Sequence, residues 1–211
     1  MAVLISIIIP SYNDGKNVQQ LVKRIPKEDI VVVESGETAY FTSLPKHVRA
    51  YKGEKGRAKQ MNLGANHAKG DKLLFLHADS KLSKLPVLGG TWGYFPVRFD
   101  HPGKYYRFIE YWSNLRASVL GPYGDQGIFV DKNYFNKVGQ YDERALFEDI
   151  TLGRSLKKLH PPTVQEANIL TSARRFEQHG PVKTHAIMGG IHVAYLLGML
   201  TVAKWLYTLI Q

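Results

Sequence analysis

The run of apolar residues near the N-terminus constrains the fold more than any other part of the sequence. Residues 3–9 read VLISIII, which is rich in β-branched side chains and lacks the polar alternation of a half-exposed strand. Such a run predicts a strand buried on both faces, as in a parallel sheet. Residues 29–33 and 72–76 repeat the pattern, and residues 14–25 and 56–68 between them have helical spacing. The alternation predicts an α/β fold with a mostly parallel central sheet flanked by helices.

Polar residues follow each of these three strands. They fall at residues 11–14, 34–36 and 77–80. In open α/β sheets the ligand binds beyond the carboxyl ends of the strands, because the loops there meet at one crevice. We therefore expect these three segments to form a binding site.

The second half of the chain has a less regular pattern. Residues 92–99 are compatible with a strand, residues 105–120 with an aromatic-rich helix and residues 128–130 with a further strand. A short amphipathic helix that opens with two acids is expected over residues 147–159. Because the chain has 211 residues and no internal repeat, we expect one domain over residues 1–185, followed by a C-terminal segment.

The C-terminal segment, residues 186–211, is expected to be an apolar or amphipathic helix. It is mostly apolar but carries His192 and Lys204, and its length is marginal for the roughly 20 residues that a spanning helix needs. Trp205 and Tyr207 beside the lysine are typical of a membrane interface. An interfacial or partner-docking helix, a helix packed on the domain and a spanning helix all remain open at this point.

The charge of the chain indicates an anionic partner. The 28 Lys and Arg residues exceed the 18 Asp and Glu residues, so the formal net charge is +10. Nucleic acid, lipid head groups and phosphorylated metabolites all fit this charge. The chain has no cysteine, which excludes disulfides, thiolate metal sites and cysteine nucleophiles.

Three acidic segments are candidates for chemistry. Asp79 ends the third strand, and one carboxylate there can hold Mg²⁺ or Mn²⁺ when a diphosphate supplies the other oxygens. Glu148 and Asp149 open a helix, where a carboxylate can act as a general base. Residues 124–127 (GDQG) are expected to form a turn that a ligand can approach closely. Taken singly, each segment is also explained by helix capping or by a surface turn.

The order of these segments along the chain resembles the family 2 glycosyltransferases of the GT-A fold. The resemblance extends over roughly residues 4–180. It is carried by residues 6–14 (SIIIPSYND), 56–80 (GRAKQMNLGANHAKGDKLLFLHADS), 124–132 (GDQGIFVDK), 147–156 (FEDITLGRSL) and 171–180 (TSARRFEQHG). More narrowly, the chain is similar to a short bacterial subgroup of transferases found near radical-enzyme and selenium-linked genes.

The resemblance implies a nucleotide-binding site at matching positions of this sequence. These positions are Pro10, Tyr12, Asn13, Glu34, Arg57, Gln60, Asp79, Arg174 and Arg175. Glu34 stands where the family usually has an aspartate that contacts the nucleoside. His77 takes the place of the first carboxylate of the usual Asp-x-Asp motif, so Asp79 alone is the implied metal ligand.

The resemblance also implies the acceptor side and the reaction. Asp125 and Gln126 match the acceptor-side motif, and Asp149 matches the catalytic base, with Glu148 beside it. The implied activity is transfer of a sugar from a nucleotide diphosphate sugar to an acceptor hydroxyl with inversion, assisted by Mg²⁺ or Mn²⁺. The acceptor that fits this interpretation is lipid-linked or a glycan. An anionic membrane surface, a homodimer and a cytoplasmic location, peripheral at the inner face of the membrane, are also compatible with it.

Two other classes of protein compete with this interpretation. A sugar nucleotidyltransferase, or a relative that binds sugar nucleotides without transfer, would share the nucleotide-binding sheet, but a nucleotidyltransferase is expected to carry a Gly-rich loop with an arginine after the first strand. Residues 10–14 (PSYND) lack that pattern. A basic nucleic-acid-binding module would explain the charge but not the acids Asp79, Asp125 and Asp149. No nucleic-acid partner is therefore expected.

Overall fold

The computed structural model describes residues 3–25, 28–82, 87–143 and 147–210, and it leaves the side chain of Arg175 undescribed. The strands are Ile5–Ser11 (β1), Asp29–Glu34 (β2), Val48–Lys52 (β3), Lys72–Phe75 (β4), Trp92–Tyr94 (β5), Val97–Phe99 (β6), Ile128–Asp131 (β7), Thr163–Val164 (β8) and Ile169–Thr171 (β9). The helices are Gly15–Arg24 (α1), Arg57–His67 (α2), Lys104–Leu120 (α3), Lys132–Lys137 (α4), Glu148–Lys157 (α5), Arg174–His179 (α6), Pro181–Leu196 (α7) and Leu200–Thr208 (α8).

The main sheet has the order β3-β2-β1-β4-β7-β5-β8 among the described residues. β3, β2, β1 and β4 run parallel, and Ile8 of β1 stands in register with Val31 on one side and Phe75 on the other. β7 is antiparallel to both of its neighbours, β4 and β5. The prediction of a mostly parallel central sheet flanked by helices is confirmed.

The apolar strands are buried on both faces, as their composition predicts. Ile7 and Ile9 of β1 belong to the core that includes Leu21 of α1, whereas Ile8 belongs to a second core that includes Met61 of α2. All three isoleucines are fully buried. Each therefore contributes about 1.5–3 kcal/mol of apolar burial, and helices must cover both faces of the sheet.

Two elements differ from the sequence expectation. β3 pairs in parallel with β2 at the edge of the sheet, although VRAYK has no apolar run and its residues are only partly buried. The strand expected over residues 92–99 is divided after Tyr94. Its first part, β5, joins the main sheet, and its second part, β6, pairs with β9 in a separate two-stranded sheet.

The C-terminal apolar segment forms two helices rather than one continuous helix. α7 and α8 are joined by a turn in which Gly198 has a φ of +74°, a conformation that favours glycine. Ala194 of α7 and Ala203 of α8 pack together in a core that also contacts Phe147. α7 therefore packs against Phe147, and α8 packs against α7. Among the described residues, no helix is both long and apolar enough to cross a membrane.

Candidate active site

A cleft of about 400 Å³ opens at the carboxyl ends of β1, β2 and β4. The residues that line it are Pro10, Ser11, Tyr12, Asp14, Ser35, Lys55, Gly56, Arg57, Gln60, His77, Ala78 and Asp79. The three strand ends thus meet at one cleft, as the sequence predicts. Of the expected nucleotide-binding residues, five lie in its wall: Pro10, Tyr12, Arg57, Gln60 and Asp79.

Glu34, at the end of β2, is fully buried behind this cleft. Its Oε2 accepts hydrogen bonds from the hydroxyls of Ser11 (2.7 Å) and Tyr40 (3.1 Å). Its Oε1 accepts hydrogen bonds from the backbone N–H groups of Asn13 (3.0 Å) and Gly36 (2.5 Å). Burial alone would raise the pKa of Glu34, but these hydrogen bonds lower it below its ordinary value. The carboxylate joins the loops after β1 and β2, and its contact with a nucleoside stays a prediction.

Replacing Glu34 with alanine should lower the free energy of unfolding by about 2–4 kcal/mol, because four hydrogen-bond donors lose their acceptor. Glu34→Gln should cost less. Its amide oxygen can serve the two backbone N–H groups, and its NH₂ group can donate to the hydroxyls of Ser11 and Tyr40. Urea unfolding measures the difference, with the exposed Glu37→Ala as the matched control. Equal losses for the alanine and glutamine variants would contradict this account.

The loop after β1 presents an aromatic ring at the mouth of the cleft. Tyr12 is half exposed, and the Lys55 ammonium lies 4.4 Å from the centroid of its ring. Asn13 has a left-handed φ of +53°, and its Oδ1 accepts a hydrogen bond from the backbone N–H of Glu37 at 2.8 Å. Gln60 anchors the loop by donating to the carbonyl of Ser11. The loop is therefore tied to its neighbours while Tyr12 faces the cleft.

Two carboxylates share the cleft. Burial raises the pKa of Asp14, a hydrogen bond from Asn17 opposes this effect, and the charge of Asp79 raises the pKa further. Arg174, at the start of α6, lies close enough to Asp14 for its positive charge to lower the pKa of Asp14. Asp14 belongs to the polar segment 11–14 that the sequence places at the binding site, but the family resemblance gives it no role. The expected diphosphate contact of Arg175 involves a side chain outside the described part of the structure.

The donor set of the cleft suits a divalent cation that is completed by other oxygens. Asp14 and Asp79 supply hard carboxylate oxygens of the kind that Mg²⁺ and Mn²⁺ prefer. Within the described residues, no group of three or more His, Cys, Asp or Glu side chains is placed to hold a metal ion. A metal ion in this cleft would thus depend on oxygens from a bound diphosphate.

Asp149, at the start of α5, is the most strongly perturbed acid near the cleft. It is 4% exposed, its Oδ2 accepts the backbone N–H of Gly124 at 3.0 Å, and the Arg57 guanidinium lies 3.6 Å from the same oxygen. Its Oδ1 is buried and has no hydrogen-bond partner among the described residues. The pKa of Asp149 is raised from 3.8 to about 7, mainly by burial and next by the negative charge of Glu148. The positive charge of Arg57 partly offsets this by lowering the pKa.

Gly124 brings His77 and Asp149 close together. A Cβ atom added at Gly124 would lie 2.5 Å from Nε2 of His77 and 2.7 Å from Oδ2 of Asp149. Only a residue without a side chain fits between the end of β4 and the start of α5. The sequence treats His77 as a departure from the family motif, and the structure places its ring next to the same glycine as the candidate base.

Aromatic contacts support the backbone just before Asp149. Phe147 has a left-handed conformation, with φ +62° and ψ +52°, which is rare and costly for a bulky residue. Its ring packs edge-on against Tyr195 of α7, at 5.1 Å between centroids, and lies 6.0 Å from Tyr123. The Tyr123 hydroxyl lies 2.8 Å from Nδ1 of His192. α7 therefore helps to hold the segment that positions the two acids.

The two acceptor-side residues have different surroundings. Gln126 is almost fully buried. Its Oε1 accepts the backbone N–H of Tyr123 at 3.1 Å, and its Nε2 donates to Asn114 at 3.2 Å. Gln126 thus fixes the turn over Gly124–Gln126. Asp125 is partly exposed and lies within electrostatic range of Arg57 and Asp149.

Comparison with known proteins supports the resemblance seen in the sequence. Residues 6–92, less than half of the chain, match the family model described as Glycosyl transferase family 2. This region contains β1, β2, β4 and the cleft they form. No curated protein matches the chain.

Several solved structures share the architecture. The mannosyltransferase PcManGT from Pyrobaculum calidifontis, in complex with GDP-Man and Mn²⁺, superposes with a TM-score of 0.59 over 91% of this chain and 65% of that one, at 14% identity. S. aureus TarS 1-349 gives a TM-score of 0.59 over 86% and 64%, at 15% identity. TarS 1-349 in complex with UDP-GlcNAc gives 0.58 over 80% and 58%, at 16% identity. The chain has the GT-A fold. It spans less than two thirds of the length of each of these structures.

Proposed function

We propose that the protein is a glycosyltransferase of family 2 that moves a sugar from a nucleotide diphosphate sugar to an acceptor hydroxyl. The observation that carries the proposal is the position of Asp149. This buried acid stands beside a cleft formed by three strand ends of a GT-A sheet. The family match over residues 6–92 supports the same activity. The narrower resemblance to the radical-enzyme and selenium-linked subgroup remains a prediction.

The donor would occupy the cleft, with its nucleoside near Tyr12 and Gln60. Arg57 and Arg174 supply positive charge for the diphosphate, and arginine is well suited to phosphate oxygens. The ligands of the structural relatives support a nucleotide sugar, because one of them holds GDP-Man and another UDP-GlcNAc. These two donors differ in base and sugar.

A divalent cation fits the acidic part of the cleft. Asp79 is the proposed ligand, and Asp14 stands beside it. The Mn²⁺ ion in one structural relative supports this assignment. When bound, Mg²⁺ or Mn²⁺ would supply positive charge near the diphosphate of the leaving nucleotide.

Asp149 is the proposed general base. Its carboxylate would take the proton of the acceptor hydroxyl while that oxygen forms a bond to the anomeric carbon. The bond from the anomeric carbon to the diphosphate oxygen breaks in the same step, and its electron pair leaves with the nucleotide diphosphate. A single displacement inverts the anomeric configuration. Arg57 stabilises the deprotonated form of Asp149 because the guanidinium lies 3.6 Å from Oδ2.

The acceptor would approach from the side of Asp125, next to the C-terminal helices. Tyr207 of α8 lies within electrostatic range of Arg57, so α8 borders the site. A lipid-linked hydroxyl at an anionic membrane surface fits the net charge of +10 and the aromatic residues of this segment. On this proposal the protein works in the cytoplasm, at the inner face of the membrane.

Nucleotide binding should stabilise the protein in a manner that depends on metal. In thermal unfolding with GDP-mannose, UDP-GlcNAc, GDP and UDP, we expect nucleotides of one base to raise Tm by several degrees, and by more when Mn²⁺ is present. Asp79→Ala should remove the part of the Tm increase that depends on Mn²⁺. Asp71→Ala, exposed at the opposite end of β4, is the matched control and should retain it.

The outcomes of this experiment separate the competing functions. If no nucleotide stabilises the protein with or without Mn²⁺, the donor assignment falls. Stabilisation by mixed oligonucleotides at about 0.15 M salt would instead favour a nucleic-acid-binding module, because weak electrostatic binding fades at that ionic strength. Metal-dependent binding without release of nucleotide diphosphate, in the presence of candidate acceptors, would indicate a protein that binds sugar nucleotides without transfer.

A further inference from the structure

The outer side of α3 carries an apolar stripe that stays about half exposed in the described structure. The stripe consists of Phe108, the adjacent pair Tyr111 and Trp112, Leu115 and Val119, which follow one another at intervals of three or four residues. All five side chains are between 41% and 63% exposed. The opposite side of the same helix already contributes to the core. α3 thus has two apolar faces, although a surface helix needs only one.

The turn between α7 and α8 is also apolar and exposed. Leu196, Leu197, Met199 and Leu200 surround Gly198, and Leu197 is 69% exposed. Trp205, which lies five residues after Leu200 in α8, is 60% exposed. Turns at a protein surface are usually built from polar residues, glycine and proline, so four large apolar side chains at one turn are unusual.

The two apolar areas belong to neighbouring helices. The ring of His185 in α7 lies 6.3 Å from that of Tyr105 and 6.2 Å from that of Phe108, both in α3. Further along, the segment that follows α3 contacts α7 through Tyr123 and His192. We call the α3 stripe, the α7–α8 turn and Trp205 together the apolar face. Clusters of exposed large apolar side chains are typical of interaction sites.

The charged side chains of α3 and of residues 181–210 are mostly positive. Residues 181–210 contain Lys183 and Lys204 but no aspartate or glutamate. In α3 the single acid, Glu110, is buried and paired with Arg107. Lys104 and Arg116 add further positive charge to this helix. An apolar surface with tryptophan and lysine at its edge matches the interfacial region of a membrane that contains anionic lipid.

We propose that the apolar face docks on an anionic phospholipid bilayer, with the α7–α8 turn entering the interfacial layer. The proposal deepens the proposed function, on which it rests only for the class of acceptor. α7 packs against Phe147, the residue before the two acids, so docking would hold the acceptor side of the site near the membrane surface. A hydroxyl on a lipid head group could then reach Asp149.

A second copy of the chain is the competing occupant of this face. Pairing two copies through α7 and α8 would bring lysines of like charge together, and these two helices carry no acid to offset them. This opposes self-association. A bilayer that contains anionic lipid supplies both the apolar interior and the opposite charge. The observed charges therefore favour the bilayer.

Vesicle sedimentation tests the proposal with the full chain. The protein should bind vesicles of phosphatidylcholine with about 30% phosphatidylglycerol, bind pure phosphatidylcholine more weakly, and lose binding as salt rises. Leu197→Glu combined with Leu200→Glu should lower the partition coefficient by at least about tenfold, since two apolar anchors become anions. Val87→Glu is the matched control, because Val87 is 94% exposed but lies outside the apolar face.

Tryptophan fluorescence gives a second measurement. Trp92 is buried, so in a Trp112→Phe variant a shift of the emission to shorter wavelength on addition of anionic vesicles reports on Trp205.

Unchanged vesicle binding by the double glutamate variant, no binding by the parent at low salt, or a parent dimer that the double variant dissociates would each overturn the proposal. Thermal stabilisation by nucleotide should be the same in the parent and the double variant. A parent protein that is stabilised by nucleotide but does not bind vesicles would contradict the docking surface alone. A parent protein that binds vesicles but is not stabilised by any nucleotide would contradict the proposed function alone.

Discussion

Asp149→Asn should reduce sugar transfer on the order of 10³-fold while leaving nucleotide binding intact. Asparagine keeps an oxygen for the backbone N–H of Gly124, so the start of α5 should remain in place. It cannot accept the proton of the acceptor hydroxyl. The rate of release of nucleotide diphosphate with an acceptor present measures the loss, and thermal stabilisation by nucleotide measures donor binding. Transfer at the parental rate would rule out Asp149 as the base.

Glu148→Gln is the matched control for this assignment. Glu148 lies beside Asp149 and its charge raises the pKa of Asp149, so its removal should lower that pKa. In the parent, kcat/KM should rise with pH and level off above about 7, because the base must be deprotonated. In Glu148→Gln the rise should occur at lower pH, with transfer retained. If Glu148→Gln abolishes transfer and Asp149→Asn does not, Glu148 is the base.

The stability of the Asp149→Asn variant separates a loss of chemistry from a loss of fold. The pKa of Asp149 is higher in the folded protein than in the unfolded chain, so the folded state binds more protons between about pH 4 and pH 7. The free energy of unfolding therefore falls as pH rises through that window, and the buried carboxylate is charged above it. At pH 8 the variant should be more stable than the parent, on the order of 2 kcal/mol. An inactive variant that is more stable than the parent cannot owe its inactivity to unfolding.

Gly124→Ala should reduce transfer by about 100-fold or more and lower the free energy of unfolding by about 1–3 kcal/mol. The added methyl group would lie 2.5 Å from Nε2 of His77 and 2.7 Å from Oδ2 of Asp149, closer than nonbonded atoms can approach. Both atoms are buried, so either the turn or the carboxylate must move. The hydrogen bond from the N–H of residue 124 to Asp149 would be displaced with them.

Gly89→Ala is the control for this effect, because nothing lies within 4 Å of a Cβ atom added there. It should leave transfer and unfolding unchanged. A shift in the pH dependence of kcat/KM in Gly124→Ala would show that the methyl group acts on Asp149 rather than on the fold alone. If both alanine variants transfer sugar at similar rates, the close approach at Gly124 does not matter for the reaction.

Much of the site could be predicted from local sequence, because its segments follow strands that the sequence marks clearly. Asp79 comes directly after an apolar strand, and parallel strands bring their carboxyl ends to one edge of a sheet. Asp149 opens a helix whose start its neighbours indicate. The side-chain contacts of Glu34 could not be predicted in this way, since its partners come from three separate segments, residues 11–13, Gly36 and Tyr40.

The aromatic helix α3 is a second case in which the sequence does not determine the contacts of a side chain. By helical spacing, one face of this helix carries the apolar residues Phe108, Ile109, Trp112 and Leu115. The structure buries Ile109 and leaves Phe108 and Trp112 half exposed. Sequence periodicity indicates that a face is apolar, but only the packing of neighbouring elements decides whether that face is covered.

The sequence by itself determined the parallel sheet, the helices that cover it and the cleft at its strand ends, because each follows from short runs of residues with a regular period. The tertiary structure alone decided that His77 and Asp149 both lie against Gly124, that α7 supports Phe147, and that an apolar face on α3 and the α7–α8 turn stays exposed. These features depend on contacts between residues far apart in the chain. No local pattern encodes such contacts, because the distance between two segments depends on the packing of everything between them.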